Sequence, residues 1–77
     1  MEVVSNQDYS YMIDALWSAI QSAKSARPVE ARSEFQRVMR HRDRVISHTP
    51  KRGYHALSDR AARVMAAAND LISKGLQ

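Results

Sequence analysis

The stretch Pro28 to Ser47, PVEARSEFQRVMRHRDRVIS, is predicted to form one amphipathic helix with two opposed faces. Its apolar residues recur with the 3.6-residue period of an α-helix and therefore fall on one side. They are Ala31, Phe35, Val38, Met39, Val45 and Ile46. The opposite side carries four residues spaced at i, i+3, i+4 and i+7, which we call the basic face. It consists of Arg37, Arg40, His41 and Arg44.

The proline at the start of this stretch separates it from a preceding helix. Proline suits the first position of a helix, whereas the residue before a proline resists helical geometry. The earlier helix is therefore expected to end near Ser25. It is expected to begin after Ser5, because a serine followed three residues later by an acid, here Asp8, is typical of a helix N-cap. The first two predicted helices span about 6–25 and 28–47.

A second break around Thr49-Pro50 predicts the start of a third helix. Threonine can cap a helix whose first residue is proline, so the helix could begin at Pro50. Because Gly53 would weaken the first turn of that helix, the alternative start is Tyr54. The third predicted helix therefore spans about 50 or 54 to 74. No segment alternates with the two-residue period of a strand, so we predict no sheet. The expected architecture is an all-α three-helix bundle in a single domain, residues 1–77.

Both flanking helices also carry an apolar face with helical spacing. On the first helix this face consists of Tyr9, Met12, Ile13, Leu16, Ile20 and Ala23. On the third helix it consists of Tyr54, Leu57, Ala61, Val64, Met65, Ala68, Leu71 and Ile72. Arg42 conflicts with this pattern because it falls in the middle of the apolar face of the second helix. It must extend its guanidinium to solvent, pair with an acid of another helix, or mark an interruption of the buried face.

Positive charge is concentrated in the middle of the chain. The net charge is +4, and nine of the twelve basic residues are Arg. Between Arg37 and Arg52 there are six basic residues and one acid. Such a segment attracts nucleic acid, an acidic protein surface or an anionic membrane surface. A genomic bias towards Arg and Ala codons would give similar counts without a functional cause.

Lys51 and Arg52, which we call the basic turn, extend the candidate anion-binding set beyond the basic face. A helix, a break and a second helix resemble a helix-turn-helix only superficially, because the break is longer than the usual three or four residues. The third helix also lacks exposed residues suited to reading base edges. If nucleic acid is bound, we expect phosphate contacts with little base specificity.

The first helix carries a second candidate surface, which we call the back face and which is made of Tyr11, Ala15, Ser18 and Ser22. Its small residues would let another helix approach closely, so it could form a homodimer interface. Together with Trp17, at the edge of the core face, it could also supply the apolar part of a protein interface. The alternative is an ordinary solvent-exposed helix surface.

Composition excludes several classes of function. The chain has no Cys, so it has neither disulfides nor thiolate ligands. His41, His48 and His55 recur every seven residues, a spacing too wide for one metal ion on one helix. No constellation of catalytic residues is evident, so we expect a non-enzymatic protein that needs no cofactor. There is no apolar run of the roughly 20 residues that span a bilayer and no signal-like N-terminus, so a cytoplasmic location is expected.

These observations predict a small regulatory binding protein. Its basic face and basic turn are expected to engage an anionic partner, nucleic acid before protein. The alternative is an adaptor or inhibitor, of the small helical kind that phages and plasmids use, acting on an acidic protein surface. A structural subunit of a larger assembly is a third interpretation. Arg serves phosphate and carboxylate alike, so the sequence leaves this choice open.

Overall fold

A computed structural model of the chain describes residues 2–53 and 55–75. In chain order its elements are β1 (Glu2–Val4), α1 (Asn6–Lys24), α2 (Pro28–Ile46), β2 (His48–Pro50) and α3 (His55–Gly75). The three helices pack on one another, and α1 contacts both of the others. The prediction of an all-α three-helix bundle is thus confirmed. The first two helices each end one residue earlier than predicted.

The helix boundaries follow from local chemistry. The Ser5 side chain accepts a hydrogen bond from the backbone N–H of Asp8 at 3.1 Å, which is the predicted N-cap of α1. Arg27 has the extended geometry expected before a proline, with φ −69° and ψ 155°, and Pro28 opens α2. Glu30 lies in the first turn of α2, where the helix dipole favours an acid.

The core lies where the apolar faces of the three helices meet. Its α1 residues are Tyr9, Ile13, Leu16, Ala19, Ile20 and Ala23, its α2 residues are Val38 and Val45, and its α3 residues are Leu57, Ala61, Val64, Ala68 and Ile72. Partly buried side chains around them include Met12, Phe35, Met39, Met65 and Leu71. Ile13, Leu16, Ile20 and Val38 are fully buried. The core is therefore centred on α1 and is made mostly of aliphatic side chains.

One predicted core position of α2 is wrong. Ile46 is 48% exposed. It is the last residue of α2, and the chain turns there towards β2, so the packing partner that the helical period implies is absent. Instead Ile46 borders an open apolar groove that Pro50 and Met65 also line.

The prediction that there is no sheet is also wrong. β1 and β2 pair in parallel, with Glu2 opposite His48 and Val4 opposite Pro50. Each strand has only three residues, too few for a two-residue alternation to be visible in sequence. Thr49 and Pro50 therefore belong to a strand and do not start the third helix. Proline is tolerated here because the strand ends with it and needs no N–H from it.

The segment after β2 is anchored to the start of α1. The backbone N–H of Lys51 donates to the side-chain Oδ1 of Asn6 at 3.0 Å. Gly53 follows with φ +89°, a left-handed conformation that glycine adopts without the steric cost of a Cβ. The α3 helix begins at His55. Tyr54, the alternative predicted start and a predicted core residue, lies outside the described residues.

Arg42 is satisfied by hydrogen bonding across the bundle. Its Nη1 donates to Oδ1 of Asn69 on α3 at 3.0 Å, and its Nη2 lies 3.3 Å from Oδ1 of Asp43. The side chain is 25% exposed. The partner of Arg42 on α3 is thus the amide of Asn69, and the acid that it contacts is Asp43, the next residue of α2. A half-buried guanidinium is tolerated because its donors find acceptors.

We expect Arg42→Ala to destabilise the bundle by about 1–2 kcal/mol, because it removes a charge-assisted hydrogen bond between α2 and α3 and the packing of the half-buried arginine stem. Arg44→Ala, on the exposed side of the same helix, should change the free energy of unfolding by no more than about 0.5 kcal/mol. Urea unfolding of both variants measures the difference. Equal and negligible effects would contradict this assignment of the two faces.

Candidate anion-binding face

The basic face lies on α2 as the sequence predicts. Arg37, Arg40 and Arg44 are exposed, and His41 is half-buried among them. The axial rise from Arg37 to Arg44 is about 10 Å at 1.5 Å per residue. This interval is long enough for the three guanidinium groups to reach different phosphates of a nucleic acid backbone. The three guanidinium groups can therefore follow the backbone of a nucleic acid over a short distance.

Little negative charge offsets the basic face. Arg37 Nη1 lies 3.9 Å from Oε2 of Glu34, a long ion pair one turn earlier on the same helix. That carboxylate oxygen is buried and accepts no hydrogen bond from the described residues. Within the described part of the chain, no acidic side chain forms an ion pair with Arg40 or Arg44. Two of the three guanidinium groups therefore keep their donors for an external anion.

The pKa of His41 depends on the positive charges of the basic face. Burial holds the pKa of His41 below its ordinary value, and the neighbouring charges of Arg37, Arg44 and Arg40 lower the pKa further. Both causes disfavour the protonated, positively charged form of the imidazole. At neutral pH the imidazole of His41 is therefore mostly uncharged, and the arginines supply the charge of this face.

The basic face and the back face of α1 meet at Arg44. Arg44 lines an open depression of about 570 Å³ together with Asp8, Met12, Tyr11 and Ala15. Tyr11 is 61% exposed, so its ring is available beside the guanidinium group. The two surfaces that the sequence predicts as separate are thus continuous along the α1–α2 edge. Asp8 lies at the same edge and partly offsets the charge at this end.

The other predicted interface residues divide between two sides of α1. Ser18 and Ser22 are exposed on the back face, and Ala15 is half-buried. Trp17 is 45% exposed and lies on the opposite flank of the helix, facing α3. Trp17 therefore does not join Tyr11 in one apolar patch. The homodimer predicted through the back face stays a prediction.

The basic turn is anchored on a different side of α1 from the basic face. Asn6, which binds the backbone of Lys51, lines a depression with Ser10, Asp14 and Leu57 on the α3 side. Arg44, in contrast, lies on the α2 side of α1. Both residues of the basic turn, Lys51 and Arg52, are exposed. Tyr11 lines both depressions, so it lies between Arg44 and the residue that anchors the basic turn.

A second cluster of positive charge, which we call the indole site, was not predicted from the sequence. Trp17, Arg60 and Arg63 line an open depression of about 420 Å³, with Val64 at its base. Arg60 forms an ion pair with Asp14 of α1. The sequence shows these arginines on an exposed helix side, but only the cross-helix register brings them to Trp17.

No cluster of three or more potential metal ligands occurs within residues 2–53 and 55–75. Of the three evenly spaced histidines, His48 has a structural role. Its Nδ1–H donates to the carbonyl oxygen of Arg44 at 2.7 Å, and its Nε2 lies 3.6 Å from Oε2 of Glu2. This contact links the end of α2 to the β1–β2 pair.

In the same described ranges, none of the helices is long and apolar enough to cross a membrane. Comparisons with protein-family models, with curated proteins and with solved structures give no match to this chain.

Proposed function

We propose that this chain is a small, non-enzymatic regulatory binding protein whose basic face engages the phosphate backbone of nucleic acid. One observation supports this most. Arg40 and Arg44 are exposed, form no ion pair within the described residues, and lie beside Arg37 on the same side of α2. An acid at i±3 or i±4 can pair with an exposed arginine of a helix, as Glu34 does with Arg37, whereas the described part of the chain gives Arg40 and Arg44 no such pair.

The form of the basic face fits backbone contact better than base reading. Arg presents a planar set of donors that matches phosphate, and three such groups along one side of a helix neutralise consecutive charges. Base-edge reading needs Asn, Gln or Arg at the exposed start of a helix that enters a groove. The α2 helix begins with Pro28, Val29 and Glu30, which cannot fill that role. Binding is therefore expected to be nearly independent of sequence.

A second candidate function is binding to an acidic protein surface. The observation that favours it is the shared depression of Arg44, Tyr11 and Ala15. Tyrosine and arginine together are typical of the residues that dominate the free energy of protein interfaces. In that case binding should survive nuclease treatment, and Tyr11→Ala should weaken it as much as Arg40→Ala does.

Salt dependence tests the proposal. Each phosphate contact on duplex DNA contributes about −0.9 to the slope of log K against log salt concentration. The basic face alone, with three contacts, predicts a slope of about −3, and both basic groups together predict about −4.5. Arg40→Ala should make the slope shallower by about one. Fluorescence anisotropy of a labelled duplex, titrated at several salt concentrations, measures these slopes.

Two controls accompany this titration. Arg32→Ala removes an exposed arginine of α2 from outside the basic face and should leave the slope almost unchanged. A set of unrelated duplex sequences should give similar affinities, because phosphates carry no sequence information. The proposal fails if micromolar protein binds neither DNA nor RNA at low salt, where electrostatic attraction is strongest.

A further inference from the structure

The only tryptophan of the chain is exposed on the α1–α3 edge between arginines. Trp17 is 45% exposed, although its large apolar ring would stabilise the bundle most if it were fully buried. Arg60 and Arg63 of α3 line the same depression. The depression opens to solvent and has a volume of about 420 Å³.

The two arginines of this indole site differ in their partners. Arg60 is fixed by its ion pair with Asp14, three residues before Trp17 on α1. Arg63 is exposed, and no acidic side chain of the described residues forms an ion pair with it. One guanidinium is thus held in place across the helix interface, while the other is available to a ligand. Arg60 and Arg63 together exceed the charge of Asp14 by one, and the exposed Asp59, four residues before Arg63 on α3, forms no ion pair with it in the described structure.

We propose that the indole site is a stacking site for an unpaired base of single-stranded nucleic acid. A nucleotide offers both groups that the site can recognise, a flat π-face for the indole and a phosphate for Arg63. Stacking on aromatic side chains and contact with arginine are the two recurrent features of single-strand binding. A duplex cannot use the indole in this way, because its bases are already stacked on one another. An acidic peptide would satisfy Arg63 but leave the indole face uncovered.

The position of α1 supports the same ligand. It lies between two sets of arginines, the basic face on α2 and Arg60 with Arg63 on α3. Its two exposed aromatic residues, Tyr11 and Trp17, are six residues apart, about 9 Å along the helix axis. A flexible single strand that crosses the exposed side of α1 can contact Arg44 beside Tyr11 on one flank and Arg63 beside Trp17 on the other. This inference rests on the proposed function and narrows its ligand to unpaired strands.

Trp17 itself provides the measurement, because the intrinsic indole fluorescence of this chain comes from one residue. The full-length protein is titrated at low salt with oligothymidylate, with a duplex of equal length and with polyglutamate. We expect oligothymidylate to quench the emission and to bind more tightly than the duplex does. The duplex should bind with little change in emission.

Variants separate stacking from charge. By anisotropy of a labelled oligothymidylate, Trp17→Ala should lose about tenfold or more in affinity, the usual effect of losing one stacked base. Trp17→Phe keeps an aromatic face and should retain most of the affinity, which also covers the case in which the alanine variant fails to fold. Arg63→Gln should weaken single-strand binding more than Arg32→Gln, which makes the same charge change on an exposed part of α2.

Three outcomes would overturn the stacking site. If Trp17→Ala is folded and binds oligothymidylate as the unmodified protein does, while Arg40→Ala still weakens binding, the basic face remains and the indole site fails. If duplex and single strand quench Trp17 equally, unpaired bases are not what the indole recognises. If polyglutamate alone quenches the emission and no nucleic acid binds, both this inference and the proposed function are wrong, and the result favours the acidic-surface alternative.

Discussion

Replacing Arg37, Arg40 and Arg44 together with Gln is expected to lower the affinity for nucleic acid by about a hundredfold at low salt. Each exposed arginine that contacts a phosphate is assigned about 1 kcal/mol, and 1.4 kcal/mol corresponds to a tenfold change in affinity. Glutamine keeps hydrogen-bonding capacity and helix propensity, so the loss reports on charge. Anisotropy titration of a labelled oligonucleotide measures the change.

The matched control replaces Lys24, Arg32 and Lys74 with Gln. These three residues are exposed and lie outside the basic face, and their replacement changes the net charge by the same amount. If binding depends on the basic face, the control triple variant should lose much less affinity than the first. Equal losses would show that only the overall charge of the protein attracts the ligand, and the assignment to α2 would then be wrong.

Leu16→Ala should have the largest effect on stability. Leu16 is fully buried on α1, the helix that contacts both others, and truncating such a leucine costs about 2–5 kcal/mol. At about 0.05–0.15 kcal/mol per residue, a domain of this length has a total stability of roughly 4–12 kcal/mol. The variant should therefore melt about 8–40 °C lower, and some of it should be unfolded at room temperature.

Circular dichroism at increasing temperature measures the loss, and Val29→Ala is the control. Val29 is 86% exposed near the start of α2, so its truncation should change stability by less than about 0.5 kcal/mol. If Leu16→Ala melts at the same temperature as the Val29 variant, the core is not centred on α1 as the structure places it.

The helices could be predicted from sequence because their signals are local. The Ser5 side chain caps α1 by accepting from the backbone N–H of Asp8, three residues later. Pro28 restricts the backbone of Arg27 to an extended conformation. The apolar period then identifies most of the buried positions on each helix. Such signals act within one or two turns and do not depend on how the helices are arranged in space.

The features that were missed depend on contacts between distant parts of the chain. The strand His48–Pro50 exists because Glu2–Val4 lies beside it, and neither three-residue segment carries a visible pattern. Ile46 fits the helical period but is exposed because its helix ends there. For Arg42 the sequence left three outcomes open, and the cross-helix partner that the structure shows, the amide of Asn69, was not among them.

In the candidate site, too, the features within one helix could be predicted from sequence, whereas the contacts between helices could not. The basic face is a property of one helix, so spacing alone predicts that Arg37, Arg40 and Arg44 share a side. Arg44 lies beside Tyr11, and Trp17 lies beside Arg63, because of the register between the helices that carry them. A single sequence contains no direct signal for that register, because many registers bury equivalent apolar stripes.

The pKa of His41, measured by NMR with and without nucleic acid, tests the central claim most directly. In the free protein, burial and the charges of Arg37, Arg44 and Arg40 hold this pKa below its ordinary value. Phosphates bound to the basic face would offset that charge and stabilise the protonated imidazole, so the pKa of His41 should rise on binding. A saturating oligonucleotide that leaves the pKa and the chemical shifts of His41 unchanged would show that the ligand binds elsewhere.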